Sequence, residues 1–206
     1  MAITVHPKAK ALIFDLDGTL SNSLPLHVYT WQQIGEKYGF EFDPQIVTDL
    51  TGRPTIEFAW HIIERYGIEV DPEHLVRLKQ ESFWKLAHLL EPVKEVTDIV
   101  KSYRGKLPMA VGTGASRRSA EVQLEALGLD KYIPLIVSAN DVTKHKPEPE
   151  TFLECARLMN TDPEFCQVFE DGALGIEAGK RAGMIVTDVR PFINYGDWMH
   201  PKTVQG

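Results

Sequence analysis

The chain has 206 residues, 43% of them hydrophobic, and a formal net charge of −7. That length buries one good core and a smaller second one, while the acidic balance excludes nucleic acid or an anionic membrane surface as the main partner. No stretch approaches the roughly 20 apolar residues of a membrane span, Met1–Lys8 lacks the apolar segment of a leader, and Cys155 and Cys166 show no C-x-x-C or metal-site spacing. Two reduced thiols in a cytoplasmic protein are therefore expected.

The first predicted element is Leu12–Phe14, an apolar run too short for a helix and without a polar face, which suits a buried strand of a parallel sheet. It delivers Asp15 and Asp17 into a glycine-containing turn. Side chains two apart on an extended chain point the same way, so both carboxylates are expected in one pocket, where like charges need a metal or a shared proton. Ser21–Pro25 reads as a linker. From Leu26 to about Leu90 the periodicity is helical throughout, with Trp31, Ile34 and Tyr38 on one stripe and Ile56, Ala59, Trp60 and Ile63 on another. Asp71-Pro72 supplies an N-cap and a first-turn proline for a helix running through Trp84 to about His88. Glu91-Pro92 marks a second linker.

Beyond Pro92 helices and strands alternate: helix Val93–Tyr103, strand Pro108–Val111, helix Ser116–Leu127, strand Ile133–Val137, helix Pro147–Met159, strand Gln167–Phe169, helix Ala173–Ala182 and strand Ile185–Thr187. This predicts an α/β fold, a doubly wound parallel sheet with a Rossmann-like core. Residues 1–20 and 92–206 would form that core, and 21–91 an inserted small helical cap between hinge linkers. Gly175, Gly179 and Gly183 recur every four residues, as close packing of the last helix on the sheet would require. The aromatic tail (Phe192, Tyr195, Trp198, with Met199) is expected to dock on something the sequence does not name.

Chemistry concentrates at the predicted strand ends. Val111-Gly-Thr-Gly-Ala-Ser places Thr113 and the Gly114 N–H at a helix start, an arrangement that suits an anion. Lys146 precedes a proline that is expected to open a helix. Glu170 and Asp171 end a strand opposite Asp15 and are natural ligands for a hard cation such as Mg²⁺, which wants about six oxygens.

Taken in order, D-x-D-G-T at Asp15–Thr19, Thr113 after the second core strand, Lys146-Pro-Glu-Pro, and Glu170-Asp171 followed by glycines resemble the four motifs of the haloacid dehalogenase superfamily of aspartate-nucleophile phosphatases and phosphomutases. The insertion point of the helical block matches its subgroup with a small helical cap, the β-phosphoglucomutase-like proteins. Met109–Gly114 and His145–Ala156 look similar to a bacterial branch described as fructose-1-phosphate phosphatase-like. The resemblance implies a Mg²⁺-dependent phosphatase of small sugar phosphates working through a phospho-aspartate. Asp15 would be the nucleophile, and Asp17 the acid and then the base, with its main-chain carbonyl on the metal. Thr113, Gly114 and Lys146 would hold the phosphate and balance charge; Asp171 and then Glu170 would complete the metal site.

In the cap, His27 shares a face with Trp31. It is either a satisfied core histidine or, as in the similar H-x-x-x-W of β-phosphoglucomutase-like caps, a cleft residue. Arg53 in a Gly-x-Arg-like loop and Lys79 match cap positions that reach substrate; surface charges are the alternative for both. Asn22 departs from the acidic residue that relatives carry there. The expected partner is a small phosphorylated metabolite and the expected state a monomer. A mutase that protects its phospho-aspartate from water, and a non-catalytic phosphometabolite-binding protein, are the competing readings.

Overall fold

In the computed structural model, which describes residues 3–196 and Met199, five parallel strands form one sheet: β1 (Ala11–Phe14), β2 (Met109–Gly112), β3 (Leu135–Val137), β4 (Cys166–Glu170) and β5 (Ile185–Asp188). Their order is β3-β2-β1-β4-β5, with Phe14 level with both Val111 and Phe169. Every residue of β1, β2 and β4 is buried, which is why β1 and β2 carry no polar side chain; β4 buries Gln167 and Glu170 among its apolar residues. Strand alternation then splits β1 between two cores. Leu12 and Phe14 pack with Val96 and Val100 of α5 (Lys94–Tyr103) and with Ala120 and Leu124 of α6 (Arg117–Ala126). Ala11 and Ile13 pack with Phe152 and Cys155 of α7 (Glu150–Leu158) and Ala178 of α8 (Ala173–Arg181) on the other face. Both cysteines are free and buried, and among the described residues no helix is long and apolar enough to cross a membrane.

The strand order reverses between β1 and β4. That reversal opens a crevice beyond the carboxyl ends of the strands, where ligands of such sheets sit. Asp15 follows β1 directly, and Glu170 closes β4.

Four helices lie between β1 and α5: α1 (Leu24–Tyr38), α2 (Gln45–Leu50), α3 (Thr55–Tyr66) and α4 (Pro72–Leu86), followed by a 3₁₀ turn at Ala87–Leu89. They bury a core of their own around Val28, Trp31, Ile34, Ile46, Ala59, Ile62 and Leu75. The segments entering and leaving this insertion run side by side. The Asn22 N–H donates to the Glu91 carbonyl and the Val93 N–H to that of Leu20, each at 2.9 Å, and Ser21 bridges Pro92. The Asn22 side-chain oxygen is buried without a partner among the described residues; an acidic group there would be an unpaired buried charge, so the amide is the cheaper occupant.

Three expectations need correcting. Trp60 is 56% exposed, whereas Ala59 and Ile62 are fully buried; the inner face of α3 centres on residues 59 and 62, and Trp60 lies one helical step off it. The Pro147 helix starts three residues later, at Glu150, because Glu150 turns its carboxylate back onto the Thr143 and Lys144 N–H groups, both at 2.9 Å, and residues 146–149 form the closing turn. The Lys146–Pro147 bond in that turn is cis. Of the spaced glycines, Gly179 does pack on the sheet, since a Cβ there would sit 2.7 Å from Val186 Cγ2. Gly183 instead ends α8 at φ +72° with open space around it. Trp198 lies outside the described residues.

The Asp71 cap on α4 is as expected: its carboxylate accepts from the Glu73 and His74 N–H groups at 3.4 and 3.0 Å. Asp71→Ala should therefore lower unfolding stability by about 1 kcal/mol, measured by urea denaturation. No change in midpoint would mean that the cap contributes nothing to the insertion.

Candidate active site

The centre of the crevice is an ammonium with almost no access to solvent. Lys146 is 1% exposed; its Nζ donates to Asp15 Oδ1 at 2.6 Å and to Glu170 Oε1 at 2.8 Å, and it stands 4.6 Å from the centre of the Phe152 ring. The second Glu170 oxygen accepts the Gly172 N–H. Gly175 has no Cβ for a reason: one would lie 1.7 Å from Glu170 Oε1. Asp171 accepts the Thr19 hydroxyl at 2.7 Å, and Gly18, at φ +89°, approaches so closely that a Cβ would fall 2.2 Å from Asp171 Oδ2.

Asp15, Glu170 and Asp171 thus bring three buried carboxylates within 4.8 Å of one another, against the single charge of Lys146. Burial pushes Asp15 up to about 8, with repulsion from Glu170 and Asp17 working against the pull of Lys146. Burial, then the Glu170 and Asp15 charges, hold Asp171 well above the usual carboxylate range. Burial alone would lower Lys146, but Asp15 and Glu170 hold it above the ordinary lysine value. The cluster is short of positive charge, and its donors are all hard oxygens, the set that suits Mg²⁺.

Asp17 lines the same cavity as Asp15, yet its carboxylate has separate partners. Three donors converge on Oδ1: Ser23 Oγ at 2.7 Å, His27 Nε2 at 2.8 Å and Gln123 Nε2 at 3.0 Å. The two aspartates therefore share a cavity but not a proton. Burial opposes the charge on Asp17, but the His27 imidazole and these hydrogen bonds outweigh it and hold the group well below its usual range.

His27 Nδ1 lies 2.6 Å from Lys79 Nζ, and the ring stacks on Phe83 at 4.6 Å. Burial first, then the Lys79 charge, lowers the pKa of His27. A neutral ring facing an ammonium must accept through Nδ1, so Nε2 carries the proton and donates it to Asp17. Lys79 is only 5% exposed, and burial pushes it down to about 8 against the attraction of Asp17.

The cavity these groups share encloses about 60 Å³, room for a handful of waters. It lies between the sheet and the insertion. Thr113 and Gly114 line it from the sheet side, and Thr51, Gly52, Arg53 and Lys79 from the insertion. The Thr113 hydroxyl accepts the Ala115 N–H at 3.0 Å. The contact between the two sides is intimate, for a Cβ on Gly114 would meet the Gly52 carbonyl at 2.3 Å. Arg53 is held by Glu57 at 3.0 Å.

Of the ten residues singled out in the sequence, Asp15, Asp17, His27, Arg53, Lys79, Thr113 and Gly114 line this cavity, and Lys146, Glu170 and Asp171 lie beside it in the cluster around Asp15. Four more residues join them, three without a functional expectation from the sequence and one, Tyr195, from the tail expected to dock. Thr19 belongs to the D-x-D-G-T string and Ser23 to the segment that reads as a linker. Gln123 is a fully buried polar residue on the inner face of α6 beside Ala120 and Leu124. Tyr195, an aromatic of the tail, donates its hydroxyl to the Gly18 carbonyl at 2.7 Å; burial and then the charges of Asp171, Glu170 and Asp15 keep that phenol protonated.

Comparison with known proteins agrees with this geometry. The family model of haloacid dehalogenase-like hydrolases matches residues 12–189. The fructose-1-phosphate phosphatase YqaB of Escherichia coli is 42% identical over 90% of this chain and 99% of its own. A phosphorylated carbohydrates phosphatase of Thermotoga maritima is 33% identical over 85% of this chain and 82% of its own. Among solved structures, a β-phosphoglucomutase from Clostridium difficile superimposes with a TM-score of 0.77 at 23% identity, covering 87% of this chain and 84% of that one; at that identity the likeness concerns the fold. The parallel sheet, the acids at its switch point and the family match over residues 12–189 lead to one assignment: this chain belongs to the haloacid dehalogenase-like hydrolases.

Proposed function

We propose that the protein is a Mg²⁺-dependent phosphatase of small sugar phosphates, fructose 1-phosphate or a close analogue, acting in the cytoplasm through a phospho-aspartate on Asp15. The observation that carries this reading is the division of labour between the aspartates: Asp15 lies in a three-acid cluster with Lys146, while Asp17 rests on three donors of its own. A protein that only bound phosphate would have no need of the second carboxylate. Similarity to the two sugar phosphatases supports the substrate class, and two buried free thiols fit a reducing compartment.

In this reading Asp15, Asp171 and Glu170, with the Asp17 main-chain carbonyl, hold the cation. When bound it supplies positive charge against the phosphate oxygens, without which a carboxylate cannot approach a dianion. Lys146 aims Asp15 and adds its own charge, and Thr113 and Gly114 take the phosphate oxygens. The Asp15 carboxylate attacks phosphorus, and Asp17 gives a proton to the departing alkoxide. The arriving dianion raises the affinity of Asp17 for that proton. Once the alcohol has left, Asp17 is a carboxylate again, steadied by Ser23, His27 and Gln123, and takes a proton from the water that attacks phosphorus as the bond from phosphorus to Asp15 breaks, which frees the Asp15 carboxylate and inorganic phosphate. His27, Arg53 and Lys79 bind the sugar side. Residues 21–91 act as a cap on a core of 1–20 and 92–206, and the small cavity is the closed form, so substrate enters when the paired linkers hinge open.

Activity should vanish on chelation and dialysis and return with Mg²⁺, followed as phosphate release from fructose 1-phosphate; full activity in the stripped protein would refute the metal assignment. A screen of phosphorylated metabolites would fix the sugar, and conversion of glucose 1-phosphate to 6-phosphate without phosphate release would turn the reading toward a mutase.

The aspartates can be told apart by leaving group. Asp15→Asn should form no phospho-enzyme with any substrate. Asp17→Asn should lose ~10²–10⁴-fold on sugar phosphates, which need the acid, but much less in the first step with an aryl phosphate. Slow dephosphorylation should then show as a burst of phenol in rapid quench. A burst from Asp15→Asn would reverse the assignments.

Lys79 gives a pH signature. It is cationic below about 8 and neutral above, so its contribution to kcat/KM for an anionic substrate should be lost as pH rises through about 8, a falling limb opposite in sign to the gain from deprotonating Asp15 in the same range. Lys79→Arg should move that limb upward and Lys79→Met abolish it. An unchanged limb in Lys79→Met would exclude the lysine as its source.

A further inference from the structure

The segment after β5 returns to the acid cluster twice. It leaves the sheet at Val189, whose N–H donates to the Glu170 carbonyl at 2.9 Å, and makes a 3₁₀ turn at Arg190–Phe192. It then brings Tyr195 over the catalytic turn, where the hydroxyl donates to the Gly18 carbonyl at 2.7 Å. Gly18 is the residue that lies against the Asp171 carboxylate, where a Cβ would fall 2.2 Å from Oδ2, and its φ of +89° independently favours glycine. The Tyr195 ring, meanwhile, packs against the core of the helical insertion. One aromatic residue therefore touches the turn that confines Asp171 and the element that covers the cavity, and the strap carrying it is tied at its other end to Glu170.

We propose that Tyr195 is a positioning residue: its hydroxyl holds the Asp17–Gly18 turn against Asp171, setting the geometry of the acid cluster, and its ring links that cluster to the closed insertion. This rests on the cluster being the Mg²⁺ site. A single neutral hydrogen bond lost from the support of a ligand corresponds to about a three- to tenfold change in affinity. The ring contact is a separate, apolar contribution to closure.

The test uses the full chain and titrates Mg²⁺ alone by calorimetry into wild type, Tyr195→Phe and Tyr195→Leu, alongside thermal unfolding without metal. Tyr195→Phe keeps the ring and should raise the Kd for Mg²⁺ about three- to tenfold, with the metal-free melting temperature nearly unchanged and KM for fructose 1-phosphate at saturating Mg²⁺ close to wild type. Tyr195→Leu should show the same loss of Mg²⁺ affinity and, in addition, a raised KM. An unchanged Kd in Tyr195→Phe, including the case where only the melting temperature falls, overturns the positioning role, and an unchanged KM in Tyr195→Leu overturns the link to closure. Phosphate release by the wild type tests the phosphatase reading independently: a wild type that binds Mg²⁺ but releases no phosphate defeats that reading and leaves the Kd comparison intact.

Discussion

An ammonium sealed between carboxylates is the constraint around which this molecule is built. Lys146 pairs with Asp15 and Glu170, with Lys146 and Glu170 sealed from solvent and Asp15 open only to the small cavity. Such a group costs several kcal/mol per ion in desolvation, and removing one partner of a buried pair typically costs ~3–5 kcal/mol because the other charge is stranded. The neighbourhood is shaped accordingly. Gly172 supplies an N–H to the free Glu170 oxygen, Gly175 leaves room for that carboxylate, and Phe152 lends its face to the ammonium. Even so three carboxylates face one ammonium, and burial and their mutual repulsion hold Asp15 and Asp171 well above their ordinary values, so that without further positive charge they tend to keep their protons. A structure that only needed stability would have replaced these groups with apolar ones. In the function proposed above, a cation and a phosphate complete the balance.

The sheet topology makes that cluster possible. β1 and β4 are neighbours at the reversal of strand order, so the residues leaving them meet although they are some 150 positions apart in the chain. The insertion then adds what the sheet cannot. His27 and Lys79 come from two helices of a separate core and reach Asp17 as a relay in which each proton position follows from its neighbour. The insertion's Gly52 carbonyl against Gly114 closes the cavity from above. The sheet side and the insertion thus meet at Asp17, the residue that faces both.

Local signals located most of this. The buried strands were readable because a strand covered on both faces carries an unbroken apolar run, and α4 because Asp71-Pro72 satisfies its first turn from within. Boundaries were less legible where a side chain acts at a distance: α7 starts late because Glu150 caps the preceding loop rather than the helix. Trp60 was placed on the wrong face, since hydrophobic periodicity ranks a tryptophan by its size, while the inner face is chosen by which side of α3 meets α4 and α1. His27 and Lys79 were ambiguous for the same reason; a lone basic residue on a helix has no local feature that says whether it points to water or to a carboxylate.

The sequence by itself determined the residue types at the strand ends, the helical block between the first two strands, and hence the family. Those features are encoded within a few residues of one another, in motifs whose spacing follows from strand and helix periods. Only the tertiary structure decided that Asp15 and Asp17 have separate partners, that Gln123 and Ser23 join His27 on one oxygen of Asp17, and that Tyr195 lies on Gly18. These are contacts between distant segments, fixed by how the sheet orders its strands and how the insertion and the last strap fold back over it, and no stretch of chain carries that information alone.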